Sequence, residues 1–121
     1  MRVDTRPRRK NSGRANVLKR APGFLSWLRS RQCYISTIDP QHICEGKVRA
    51  CHFDPWGDKG MASKVSDRAA LPMCDGAHRE QTDVLGWPKF QEKYGFDGRH
   101  VVVAFWMDWP GRLAWEAKQD G

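Results

Sequence analysis

Arg49-Ala50-Cys51-His52-Phe53-Asp54, followed by Leu71-Pro72-Met73-Cys74-Asp75-Gly76-Ala77-His78, decides how this chain is read. Residues 47–53 alternate, with Val48, Ala50 and His52 on one face, and the pattern predicts a strand. Residues 69–73 predict a short second strand, and residues 75–84 a helix. The loop over 54–67 is polar and carries Gly57-Asp58-Lys59-Gly60-Met61-Ala62-Ser63-Lys64. The order is strand, loop, strand, helix, with one histidine late on the first strand and another opening the helix. A histidine with a free ring nitrogen can take a proton from water near neutral pH. A second can hold a divalent metal against a phosphate.

Working outward, Pro22-Gly23 opens a helix over about 22–31, with Phe24, Leu25 and Leu28 as its apolar stripe. Residues 33–43 read as loop, with Asp39-Pro40 as a turn signal. On the other side, Leu85-Gly86 breaks the helix, and Pro88 opens another that runs to Tyr94 and stops at Gly95. Residues 101–107 have strand propensity. Asp97 can equally cap a helix over about 98–109 ending before Pro110, and the helix is the reading adopted. The last residues, 118–121, are expected to fray. There is no internal repeat.

The net charge of +7 is concentrated at one end of the 121 residues. Residues 1–20 hold eight Lys or Arg against Asp4 alone, and the remainder is neutral. Such an arm, without hydrophobic periodicity, is expected to be disordered in isolation, and Arg8, Arg9 and Lys10 are candidate phosphate contacts. The division is an arm over 1–21 and one domain over 22–121. No apolar run reaches the roughly 20 residues needed to cross a membrane, and no apolar stretch follows the basic start. Four cysteines without a C-x-x-C pair do not make a secreted disulfide framework, so a reduced, cytoplasmic setting is expected.

Several stretches together resemble the HNH endonucleases, within them the phage and prophage branch related to recombination-enhancement nucleases. These are Ala50-Cys51-His52; the loop from Gly60-Met61 through Lys64 to Asp67-Arg68; Leu71-Pro72-Met73-Cys74; His78-Arg79-Glu80-Gln81; the segment from Phe90 to Asp97; and Phe24 to Arg29 ahead of the core. The resemblance covers roughly residues 22–110 and rests on order and spacing rather than on one motif. It implies an α+β fold, a small ββα-metal core with flanking helices. It places His52 at the position of the general base and His78 at that of the helix metal ligand.

Cys51 falls where a second ligand usually stands, commonly Asp or His, and a thiolate there suits Zn²⁺ better than Mg²⁺. Ala69 lies nearest the usual Asn position, with Asp67 as the closest polar candidate, though Asp67 with Ser66 also reads as a simple turn. Thr82 stands where many relatives have a further histidine. Lys64 and Arg68 are candidate DNA contacts. Many HNH domains hold a structural zinc on two C-x-x-C pairs; here the second members fall on Ser36 and Ala77. A structural zinc is therefore not expected, and Cys33 and Cys74 read as buried small hydrophobes. The alternative is rescue of the site by Cys44 or His42. His42 and His100 have no motif around them and read as surface residues.

The expected function is a metal-dependent DNA endonuclease, phage- or prophage-encoded and linked to recombination or processing, using one divalent ion (Mg, Mn or Zn). The alternative is a non-catalytic DNA-binding accessory protein of recombination that keeps the fold, favoured by Cys51, Ala69 and Thr82. A third reading, a small zinc-stabilised interaction module, requires that the cysteines bind metal.

Overall fold

A computed structural model describes residues 20–56 and 66–120. Most of the basic arm, with Arg8, Arg9 and Lys10, lies outside the described residues, as does Lys64. Two antiparallel strands, β1 (Val48–His52) and β2 (Ala70–Cys74), form the sheet. Val48 pairs with Cys74, Ala50 with Pro72, and His52 with Ala70. Before the hairpin come α1 (Pro22–Arg29) and α2 (Tyr34–Ile38). After it come α3 (Asp75–Arg79), a π-helical stretch (Glu80–Leu85), α4 (Gly86–Tyr94), α5 (Gly98–Asp108) and α6 (Arg112–Asp120). The fold is a small α+β unit.

A hairpin of two short strands is barely stable alone, so both faces must be covered. Alternation along β1 supplies two apolar faces. Cys51 and Phe53 join Leu71 and Met73 in a core closed by Ala77, Trp87, Phe90 and Val102. Ala50 and Ala70 turn the other way and meet Phe24 and Leu28 of α1 and Trp106 of α5. Every residue of β2 is buried, since it lies between both layers. Pro72 is tolerated there because a two-stranded sheet leaves β2 an open edge, where no amide is needed.

Sequence signals account for most boundaries. Pro22 stands in the first turn of α1. Asp97 caps α5 by accepting from the Arg99 amide at 3.0 Å, which decides for helix over strand across residues 98–108. Gly95 ends α4 in the left-handed conformation at φ 70°.

Three local expectations are corrected. Residues 34–38 are helical rather than loop, with Cys33 at the N-cap position. The helix after β2 widens to a π-turn over 80–85 before Gly86 breaks it at φ 75°. Residues 118–120, in the segment expected to fray, are helical, because α6 runs to Asp120. Its Trp115 packs edge-on to Trp106, with ring centroids 5.2 Å apart.

Gly98 lets α5 close on the hairpin. A β-carbon there would strike the ring of buried Phe53. Gly98→Ala is therefore expected to destabilise the fold by about 1–3 kcal/mol, the usual cost of overpacking. A lower urea midpoint with an unchanged slope is the expected readout; an unshifted midpoint would show that α5 does not seat on Phe53.

Candidate functional site

Two polar clusters stand out. The first grows from a turn leading into β2. The Ala69 amide donates to the Ser66 carbonyl at 3.0 Å, and the Arg68 amide donates to Ser66 Oγ at 3.2 Å. The hairpin ladder continues past β1, with the Phe53 amide donating to the Ala69 carbonyl at 2.8 Å. This brings Asp67 across from His52, whose Nε2 lies 2.9 Å from Asp67 Oδ1. The other carboxylate oxygen, Oδ2, accepts the Ala21 amide at 2.7 Å, at the foot of α1. Asp67 is thus held at both oxygens; its side chain is 16% exposed and that of His52 36%. Among the described residues nothing bonds the second ring nitrogen of His52. Such a pair can fix an imidazole's tautomer and support the charge it gains on taking a proton.

The second cluster joins segments far apart in sequence. The Asp39-Pro40 turn, with the Gln41 amide donating to Asp39 Oδ1 at 3.0 Å, brings His42 back toward Cys33. Asp75 then ties the approach to β1 onto the end of β2. Its carboxylate accepts the Lys47 amide at 3.0 Å and Arg49 Nε at 2.7 Å. The Gly76 amide donates to the Glu45 carbonyl at 3.1 Å. Gly46, at φ 75°, permits this closure, because a β-carbon there would collide with the Asp75 carboxylate. Cys44 is thereby delivered to Cys74.

The result is a group that could hold a metal ion: the ligand atoms of Cys33, His42, Cys44 and Cys74 all lie within 4.8 Å of one another. His42 Nε2 is 3.4 Å from Cys74 Sγ and 3.9 Å from Cys33 Sγ. Three thiols and one imidazole are a donor set suited to a soft, tetrahedral ion.

The electrostatics of the cluster favour one thiolate. Burial opposes a charge on Cys74, but the Ala77 and Glu45 backbone, His42 and Cys44 outweigh it and hold this thiol down at about 7. Burial, with Cys33 and Cys74 beside it, pushes Cys44 up to about 12. One negative charge is accommodated and further ones are resisted, the imbalance that a bound cation relieves.

This corrects two expectations. Cys33 and Cys74 are buried, as small hydrophobes would be, but they share a donor cluster with His42 and Cys44. His42 is half-buried against the edge of Tyr94 rather than free on the surface. The alternative raised from the sequence, rescue of the broken C-x-x-C pairs by Cys44 or His42, matches the group that forms, and both residues take part in it.

The remaining candidates are placed as follows. Cys51 is 2% exposed and lies in the core on the face of β1 opposite Ala50 and His52. Burial, reinforced by Cys33, pushes its thiol up to about 12. His78 is exposed on α3, lining a shallow depression with Asp75, Arg79, Thr82 and Asp83. Among the described residues no hydrogen bond or ion pair joins His78 to His52 or to Cys51. The structure brings His52 to Asp67 and turns Cys51 into the core. Arg68 is exposed and lies beside Trp106 and Trp115.

No family model matches the chain, and no curated protein or solved structure matches it. Among the described residues no helix is long and apolar enough to cross a membrane.

Elemental analysis of protein purified without chelator is expected to give one metal ion per chain. Cys74→Ala should lose the ion and Cys51→Ala should keep it. The Cys74 thiol is depressed from 9.0 in the folded state, so the stability its thiolate supplies is complete above that value. It is lost as pH falls through about 7. Metal retention should therefore fall on the acid side of that value. Unchanged metal content in Cys74→Ala would eliminate the centre.

Proposed function

We propose that this chain is a DNA endonuclease that hydrolyses phosphodiester bonds at His52. The observation that carries this reading is the His52–Asp67 pair at the mouth of the hairpin, with the carboxylate pinned by the Ala21 amide. The strand–strand–helix order and the resemblance to HNH endonucleases support it. In the proposed reaction the free nitrogen of His52 takes a proton from water as the water oxygen attacks phosphorus. Asp67 keeps the ring oriented and offsets the imidazolium charge. The bond from phosphorus to the leaving oxygen breaks, and that oxygen is protonated from solvent.

A divalent ion at the phosphate would neutralise the developing charge. Cys51, buried in the core, does not fit the ligand role that the resemblance implies, and no step is assigned through it. We read the Cys33–His42–Cys44–Cys74 group as a structural zinc centre: four protein donors leave no open position for substrate. It would anchor the segment from Cys33 to Cys44 onto the end of β2. A prophage origin and a link to recombination follow from the resemblance alone and belong to the same proposal.

The burial of Cys51 in the core favours a second reading, a DNA-binding accessory protein without cleavage. Nicking of supercoiled plasmid with Mg²⁺, Mn²⁺, Zn²⁺ and Ni²⁺ in turn separates the two. Under the endonuclease reading one metal supports nicking. His52→Ala should then lose about 10²–10⁴ of the rate, as removal of a general base does, while still binding DNA. Asp67→Asn should lose rate with its melting temperature nearly intact. DNA binding with no nicking under any metal would leave the accessory reading.

A further inference from the structure

The face of the sheet that carries Ala50 and His52 is covered by a continuous belt of tryptophans. Phe24 of α1 stacks with Trp27 at 6.0 Å between centroids and meets Trp106 of α5 at 5.0 Å. Trp106 contacts Trp109 at 5.4 Å and Trp115 of α6 at 5.2 Å. Of these, Trp27, Trp109 and Trp115 are half-exposed. Two arginines lie on the belt. The Arg31 guanidinium sits 5.1 Å from the Trp27 ring. The Arg68 guanidinium sits 5.9 Å from Trp106 and 5.7 Å from Trp115.

The belt is tied to the candidate catalytic pair. Trp115 Nε1 donates to the Arg20 carbonyl at 3.0 Å. The next amide, that of Ala21, holds Asp67, and Arg68 follows Asp67 in the chain. The path His52, Asp67, Ala21, Arg20, Trp115, Arg68 therefore closes on itself.

Arg20, Arg29, Arg31 and Arg68 are exposed, and among the described residues none of them pairs with a carboxylate. A guanidinium lying against an aromatic face has lost side-chain freedom before any ligand arrives; Arg68 Nε is 3.5 Å from Ser66 Oγ, which leaves its two terminal nitrogens for a ligand. That geometry suits bidentate donation to a phosphate. The tryptophans have a structural use as well, since they cover Ala50 and Ala70. Coverage alone requires no cation, and two arginines without counter-ions are what it leaves unexplained.

We propose that Arg68, with Arg31, is a phosphate clamp that lays a nucleic-acid backbone across the α1–α5–α6 tryptophan belt and into His52. The orientation rests on the endonuclease reading; the clamp itself does not. α6 is then a positioning element, acting through Trp115 on Arg68.

The test measures DNA binding by the full chain in EDTA over a range of salt, on single-stranded and duplex oligonucleotides of equal length. Each phosphate contact contributes about 0.9 to the salt slope on duplex and about 0.7 on single strands. Arg68→Gln is expected to lower the slope by about that amount and weaken binding several-fold. Arg68→Lys should restore the slope but not the full affinity, a rescue that a purely structural role for Arg68 would not give. Trp115→Phe should keep the slope and weaken binding. The slope loss on both substrates identifies a backbone clamp; loss on one alone identifies the strand form that the belt accepts. Wild-type affinity and slope in Arg68→Gln overturn the proposal, even if His52→Ala abolishes nicking. A lowered slope in a protein that nicks nothing leaves the clamp standing and removes the endonuclease reading.

Discussion

A sheet of two five-residue strands, β1 and β2, cannot stand alone in water, and the rest of this molecule follows from covering it on both sides. One layer comes from α3, α4 and α5 against Cys51, Phe53, Leu71 and Met73. The other comes from α1 and the tryptophans of α5 and α6 against Ala50 and Ala70. α5 serves both layers, through Val102 on one and Trp106 on the other. His52 is the last residue of β1 and stays partly accessible, although its partner Ala70 is fully buried.

The two polar clusters sit at opposite ends of this hairpin and follow from its register. At the Val48–Cys74 end, the strand pair delivers the Cys44–Lys47 approach to the start of α3, so Cys44 reaches Cys74. At the His52–Ala70 end, the turn into β2 swings Asp67 over His52. The four-donor group at one end and the His52–Asp67 pair at the other are thereby kept apart along the hairpin. A closed four-ligand ion would stiffen the chain without competing for substrate, and the imidazole would keep a nitrogen open.

The hairpin, the helix after β2 and the caps at Pro22, Gly95 and Asp97 were legible in the sequence because they are local. Alternation, a capping side chain and a left-handed glycine each act within a few residues. The asymmetry of charge was legible from composition alone. Asp67 was singled out as a candidate but not as the partner of His52; that pairing needs the hairpin register, which sequence spacing does not give.

What only the tertiary structure decided was which distant residues meet. The Cys33–His42–Cys44–Cys74 group draws on three segments, and no fixed spacing marks it once Ser36 replaces a second cysteine. Cys51 looked like a ligand beside His52, yet neighbouring residues on a strand point to opposite faces, and the core claims the thiol. Arg68 was read as a candidate DNA contact, but only the packing of α6 sets Trp115 beside it. Sequence fixes what each residue can do over a few positions; the meeting of chemically apt residues depends on how both faces of one small sheet are closed.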